Sequence, residues 1–224
     1  MPELPEVETA RRLIADLALG RRIVGVDDAD TFVCRPHSPG ELRDALTGRM
    51  LTAAHRRGKT MWCETSGLDG TAGPGPDLGI HLGMSGRIVL NPDLDALGPD
   101  AQEVTPAQFR ALITKGTIAV KARLLDQSKI AGIGNLLADE ILWQAKIPPA
   151  TPVSHLQRRD ADRLYRALRS VLAAATAKGG AHTGDVIAAR RPGGSCPRCG
   201  AEMVHGAVGG RSTWWCSREQ APWS

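Results

Sequence analysis

The sequence predicts an α+β chain, and three observations predict it. Short strand-like apolar runs fill residues 50–90, helical apolar spacing takes over after residue 105, and three of five cysteines crowd the tail at 196, 199 and 216. A length of 224 residues admits one large domain or two modest ones.

Taken in order, Pro5 suits a first helical turn, and residues 7–19 follow as a short helix with Leu13, Ile14 and Leu17 on its apolar face, ended by Gly20. RRIVGVDDAD predicts a strand and an acidic turn, and ELRDALTGR a helix ending near Gly48. MLTAAHRRGKTMWCET predicts two strands around a turn at Arg57-Gly58, with Lys59 just after it. GLDGTAGPGPD is a loop by composition, and DLGIHLGMSGRIVL returns to strand character. Thr105 suits an N-cap for TPAQFRALI, VKARLLDQ predicts helix, and GIG at 132–134 makes a compact turn into the helix NLLADEILWQA, which stops at Pro148-Pro149. The run from Arg158 predicts a longer helix with Leu164, Leu168 and Leu172 inward, terminated by Gly179-Gly180. The glycine-rich tail from Gly193 is too short for a core of its own and needs a metal or its neighbours.

The net charge of +4 and pI near 9.0 favour an anionic partner, and arginine doublets recur at 11–12, 21–22, 56–57, 158–159 and 190–191. No run of eighteen apolar residues suggests a membrane span, and the cysteines do not form an extracellular disulfide framework, so a cytoplasmic chain is expected.

Three places carry candidate chemistry. Removal of Met1 would expose Pro2 as a secondary amine, and an α-amino group titrates near pKa ~7.7–8, leaving a neutral fraction able to attack an aldehydic carbon. Glu3 and Glu6, three apart, could manage protons beside it, or could simply cap the helix. The GIG turn precedes a helix start whose amides can hold a phosphate, with Lys129 and Asn135 nearby, or it is a tight packing turn. In the tail, Cys196 and Cys199 form a Cys-x2-Cys knuckle, Cys216 follows, and Glu219 stands where a fourth thiolate would complete a zinc ribbon. Glu219, His205 or water as fourth ligand, or no stable metal, all stay open at this point.

Together PELPEVET, RRGK at 56–59, HLGMSG at 81–86, LLDQSKIAGIGN with ADE at 138–140, and CPRC with GRSTWWC resemble one family across nearly the whole chain. It is the formamidopyrimidine-DNA glycosylase and endonuclease VIII family of bifunctional repair enzymes, and the start is closer to the formamidopyrimidine branch. The resemblance implies an N-terminal β-sandwich with flanking helices (residues 1–104), a helical helix-two-turn-helix domain (105–192) and a zinc-finger-like hairpin (193–224), with double-stranded DNA crossing the cleft of a monomeric enzyme. It implies Pro2 as nucleophile at C1′, Glu3 as the acid that helps open the sugar, Glu6 as its supporting carboxylate, and Lys59 on phosphate beside the lesion. Asn135 and Arg211 would bind phosphate, Lys121 would approach the damaged base, Met84 would wedge into the vacated stack, and Cys196, Cys199, Cys216 and Glu219 would hold structural Zn2+.

The activity so implied is excision of oxidised purines such as 8-oxoguanine and formamidopyrimidines, followed by β,δ-elimination at the abasic site. A glycosylase for oxidised pyrimidines, and a damaged-DNA-binding relative with lost catalysis, are the competing readings. The chain departs from the family pattern after IVL, where further strands and a DPRRF-like turn are expected and NPDLDALGPDA follows directly, a shortening by two or three dozen residues. Either that shortening is native or the sequence as it stands omits a segment.

Overall fold

The first helix, α1 (Leu4–Leu17), starts three residues before the expected Val7, with Pro5 in its first turn, where a missing N–H costs no helical bond. Its buried residues are Leu4, Pro5, Val7 and Glu8, whereas Leu13 and Leu17 are 59% and 65% exposed, so the expected apolar face is corrected. The inward stripe runs 4, 7, 8 and 11 and takes in charged side chains, which an apolar periodicity does not register. The computed structural model describes residues 2–71, 73–83 and 87–222, which divide into two units: residues 6–96 with Pro2, and residues 97–222 with residues 3–5.

In the first unit, α2 (Glu41–Leu46) buries Leu42 and Leu46. Strands β1 (Leu51–Arg57), β2 (Thr60–Thr65), β3 (Leu78–His81) and β4 (Arg87–Leu90) form one antiparallel sheet in that order. Period-two alternation buries Met61 and Cys63, while Leu78, Ile88 and Leu90 pack on Cys34, Leu42 and Leu46. Arg57 pairs with Thr60, so the β1–β2 turn is Gly58-Lys59, one residue later than expected, with Gly58 at φ 60° in the first central position that this hairpin type reserves for glycine.

The strand expected in RRIVGVDDAD is not formed. Ile23 exchanges backbone bonds with Arg49 and Gly48, but pairing is reduced to an Arg22–Met50 bridge, and Val24 is 89% exposed. Among the described residues the strands of the first unit form this one four-stranded sheet, so the β-sheet with flanking helices is present and the second sheet of a sandwich is not.

The second unit packs α3 (Pro106–Ile113), α4 (Val120–Leu125), α5 (Asn135–Ala145) and α6 (Arg158–Lys178) around Phe109, Ile113, Leu124, Ile141 and Leu164. Thr105 caps α3 in a reciprocal capping box with Gln108. Leu164, Leu168 and Leu172 are all buried as expected, and Gly179 ends α6 at φ 85°. Strands β5 (Met203–Val208) and β6 (Arg211–Cys216) make the tail hairpin across Gly209-Gly210. Both turn glycines have positive φ, 60° and 71°, the requirement of a type I′ turn. Among the described residues no helix is long and apolar enough to cross a membrane.

Candidate functional site

Glu3 directly precedes α1. Its carboxylate, on a residue 3% exposed, accepts N–H bonds from Gly134 (3.0 Å), Leu136 (2.8 Å) and Leu137 (3.0 Å), three amides at the start of α5. The anion that the GIG turn was expected to hold is thus Glu3, so these amides are not open to a phosphate. Helix polarity favours a carboxylate here for the same reason it would favour phosphate. Gly134 is required by this approach: a Cβ there would meet Glu3 Cδ at 2.2 Å. The turn is braced by Gln127. Its Oε1 accepts from Gly132 N at 2.9 Å and its Nε2 donates to Ile133 O at 2.9 Å.

Asn135 and Arg211 are brought together through the tail hairpin. Asn135 Nδ2 donates to Ser212 O at 3.0 Å, beside Arg211, which is exposed at the turn. Lys121 lies beneath them. It is fully buried, and its Nζ sits 2.6 Å from Asp139 Oδ1 and donates to Ser212 O (3.0 Å) and Thr213 Oγ1 (2.8 Å). Burial pushes the pKa of its ammonium down, against the opposing pull of Asp139. In this structure Lys121 braces the hairpin and presents no atom to a base. Asp139 also accepts from Arg190 Nε at 2.9 Å and Trp214 N at 3.2 Å, which gives the ADE motif a structural role absent from the sequence reading. Lys129, expected to add charge at the turn, is half-buried.

In the first unit, Pro2 and Glu6 are half-buried, and Lys59 sits on its turn. That turn is tied to α1 through Glu8, which the sequence does not single out. Arg56 Nε donates to Glu8 Oε2 at 3.1 Å and its NH1 to Gly58 O at 3.1 Å, and Glu8 also takes Arg11 and Arg12. The hydrogen bond from Arg11, with Arg56 and Arg12 behind it, outweighs burial and holds the Glu8 carboxyl at about 2. The signal was available in the charge spacing of Glu8, Arg11 and Arg12, which reads as helix-surface pairing. Arg11, Arg12, Arg22, Arg56 and Arg190 are all engaged with carboxylates, so four of the five doublets place an arginine in an ion pair within the fold. Met84 lies outside the described residues.

In the tail, Cys196, Cys199, Cys216 and Glu219 place one ligand atom each within 4.8 Å of one another. Thiolates at about 2.3 Å from a tetrahedral zinc stand roughly 3.8 Å apart, so the set has the right size. Cys199 Sγ and Cys216 Sγ are 3.4 Å apart, and Glu219 N donates to Cys216 Sγ at 3.3 Å. Burial raises the Cys196 thiol, but hydrogen bonds from the Trp143 indole (3.3 Å) and from the Arg198 and Cys199 amides prevail and bring it to about 7. Burial pushes Cys216 up. Glu219 Oε2 is buried without a hydrogen-bond partner, the donor a fourth metal ligand would supply. The residues therefore fit structural zinc. His205 is not in the group: it stacks on Trp214 at 4.5 Å and bonds Ser212 Oγ.

Comparison with known proteins agrees with this geometry. Residues 1–133 match the formamidopyrimidine-DNA glycosylase N-terminal domain, and residues 96–186 match the formamidopyrimidine-DNA glycosylase H2TH domain. The formamidopyrimidine-DNA glycosylase of Corynebacterium aurimucosum is 33% identical, over 96% of this chain and 95% of that protein. That alignment runs over 271 positions against 224 residues here, so at least 47 of them face a gap in this chain. The crystal structure of Lactococcus lactis Fpg in complex with abasic-site DNA superposes at a TM-score of 0.83, with 26% identity over 98% of this chain and all of that one. A Lactococcus lactis Fpg variant with Fapy-dG containing DNA superposes at 0.79, with 25% identity over 99% and 100%. By sequence along nearly its whole length, this chain belongs to the formamidopyrimidine-DNA glycosylase family.

Proposed function

We propose that the protein is a bifunctional DNA glycosylase and abasic-site lyase that acts on oxidised bases in double-stranded DNA, with oxidised purines as its main substrates. The observation that carries the proposal is the anchoring of Glu3 on three amides of α5, which fixes the backbone that bears Pro2. A positioned nucleophile beside a positioned carboxylate is what covalent excision needs.

In the mechanism, removal of Met1 leaves Pro2 with a neutral imino nitrogen at physiological pH. The damaged nucleotide is flipped from the stack. Pro2 N attacks C1′, the N–C1′ bond forms, and the glycosidic bond breaks with its electron pair leaving on the base, which takes up a proton. Glu3 orients the sugar and manages the proton that accompanies opening at O4′, and Glu6 supports it. The resulting iminium acidifies C2′–H. Loss of that proton drives the electron pair to expel the 3′ phosphate, and a second elimination expels the 5′ phosphate. Hydrolysis of the iminium returns the amine. Lys59 in one unit, and Asn135 and Arg211 in the other, contact phosphate; these contacts set affinity and its salt dependence and carry no base information. Lys121 acts through Ser212, holding the strand that carries Arg211.

Zinc, when bound by Cys196, Cys199, Cys216 and Glu219, supplies folding energy to the tail hairpin and takes no part in the bond changes. The test is a panel of duplexes, each with one lesion, assayed separately for base release and strand cleavage. The proposal expects release of 8-oxoguanine and formamidopyrimidines faster than of oxidised pyrimidines, with phosphates on both new ends. Binding to every duplex without release or cleavage would identify a non-catalytic relative instead.

A further inference from the structure

The replacement of the family's fourth cysteine by Glu219 leaves a question about how a carboxylate, with two oxygens and a freely turning end, is held as a single metal ligand. Its surroundings answer it. Oε1 is 2.6 Å from Lys146 Nζ, whereas Oε2 is buried with no hydrogen-bond partner. Arg198 Nε stands 3.4 Å from Oε2 outside hydrogen-bonding geometry, with its guanidinium stacked 3.8 Å over the Trp143 ring and its NH2 donating to Trp143 O at 3.0 Å. The two cations therefore divide the carboxylate unequally. Lys146 engages one oxygen and leaves the other buried without a hydrogen bond, in a carboxylate that places an oxygen within 4.8 Å of the three sulfurs.

Lys146 is well placed for this. It is the C-cap of α5, in the left-handed conformation at φ 52°, and the residue after Glu219 is tied to the chain just beyond that helix end. Gln220, next to Glu219, donates Nε2 to Ile147 O at 2.9 Å and accepts from Cys216 N at 2.9 Å. Charge also closes. Three thiolates and one carboxylate around a divalent ion leave a net charge of −2, which Lys146 and Arg198 neutralise; partners beyond the ligands commonly orient them and tune the metal in this way.

We propose that Lys146 is the positioning residue that makes Glu219 a one-oxygen metal ligand in place of the missing cysteine, so that the site's affinity for zinc depends on an ion pair that a four-cysteine site would not need. The proposal rests on the reading of the tail as a zinc site, and its test separates the two. Zinc affinity of the full chain is measured by competition with a chromogenic chelator for the wild type, K146M, K146R, E219C and the double variant K146M/E219C. Methionine keeps the stem and bears the same left-handed backbone cost as lysine, so loss of fold is not the expected effect.

K146M should weaken zinc binding by about tenfold or more, the usual effect of losing a partner beyond the ligands, while K146R keeps most of the affinity. E219C should bind more tightly than wild type, and in that background K146M should change nothing. Equal weakening by K146M in both backgrounds, or none in the wild type, overturns the proposal while leaving zinc in place. A wild-type chain that takes up no zinc overturns the metal reading itself, and the proposal with it.

Discussion

Glu8 lies 7% exposed on α1, and an unpaired carboxylate at such a position would cost several kcal/mol or give up its charge. Three arginines keep it ionised, one of them Arg56, which also holds the Gly58 carbonyl of the Lys59 turn. Because the folded carboxyl titrates at about 2 and an unfolded one near 4.5, its stabilisation is complete above about pH 4.5 and is lost as pH falls from there to about 2. E8Q should therefore lower stability at pH 7 by about 2–3 kcal/mol and flatten the acid limb of a denaturation profile between those pH values; an unchanged acid limb would contradict the network. Single residues were only partly legible in the sequence. The Cys196, Cys199 and Cys216 cluster was legible from spacing, because metal ligands on a knuckle and a hairpin recur at short fixed distances, while spacing left Glu219 as one of several candidates for the fourth place. Glu3 was read as a catalytic or local capping group because its partners lie some 130 residues downstream, and no local pattern carries that distance. Lys121 illustrates the same limit: its charge was visible, but its burial against Asp139 was not.

At the scale of elements, helices whose inner face is purely apolar were readable almost to the residue. In α6, Leu164, Leu168 and Leu172 and the Gly179 terminator sit as their spacing dictates. In α1 the reading chose Leu13 and Leu17, because a stripe that includes Glu8 and Arg11 has no apolar period to detect. The tail hairpin yields a graded prediction. Gly209 and Gly210 both have positive φ, but a Cβ on Gly209 would also meet Ala122 Cβ at 2.8 Å, whereas Gly210 faces open space. G210A should cost about 1 kcal/mol from backbone strain alone, and G209A clearly more, because α4 must give way as well. Equal melting temperatures for the two variants would show that the hairpin does not bear on α4 as described.

For the whole molecule, the sequence placed the helical half and the tail correctly and promised a sandwich where a single four-stranded sheet stands. The Corynebacterium aurimucosum relative carries at least 47 aligned positions that this chain lacks. The DPRRF-like turn, whose side chains would fill the helix and probe the opposite strand, is among the features not found in this sequence. Discrimination by the base opposite the lesion should be weak, with excision rates within about fivefold for one lesion opposed by each of the four normal bases, a spread of about 1 kcal/mol in barrier. A strong cytosine preference would contradict this. The central claim is that an imino nitrogen at Pro2 carries the chemistry. Borohydride reduction during incubation with an abasic-site duplex tests it most directly: the account predicts a covalent protein–DNA adduct that peptide mapping places on an amino-terminal Pro2. An adduct on a lysine, or strand cleavage by a chain that retains Met1, would contradict it.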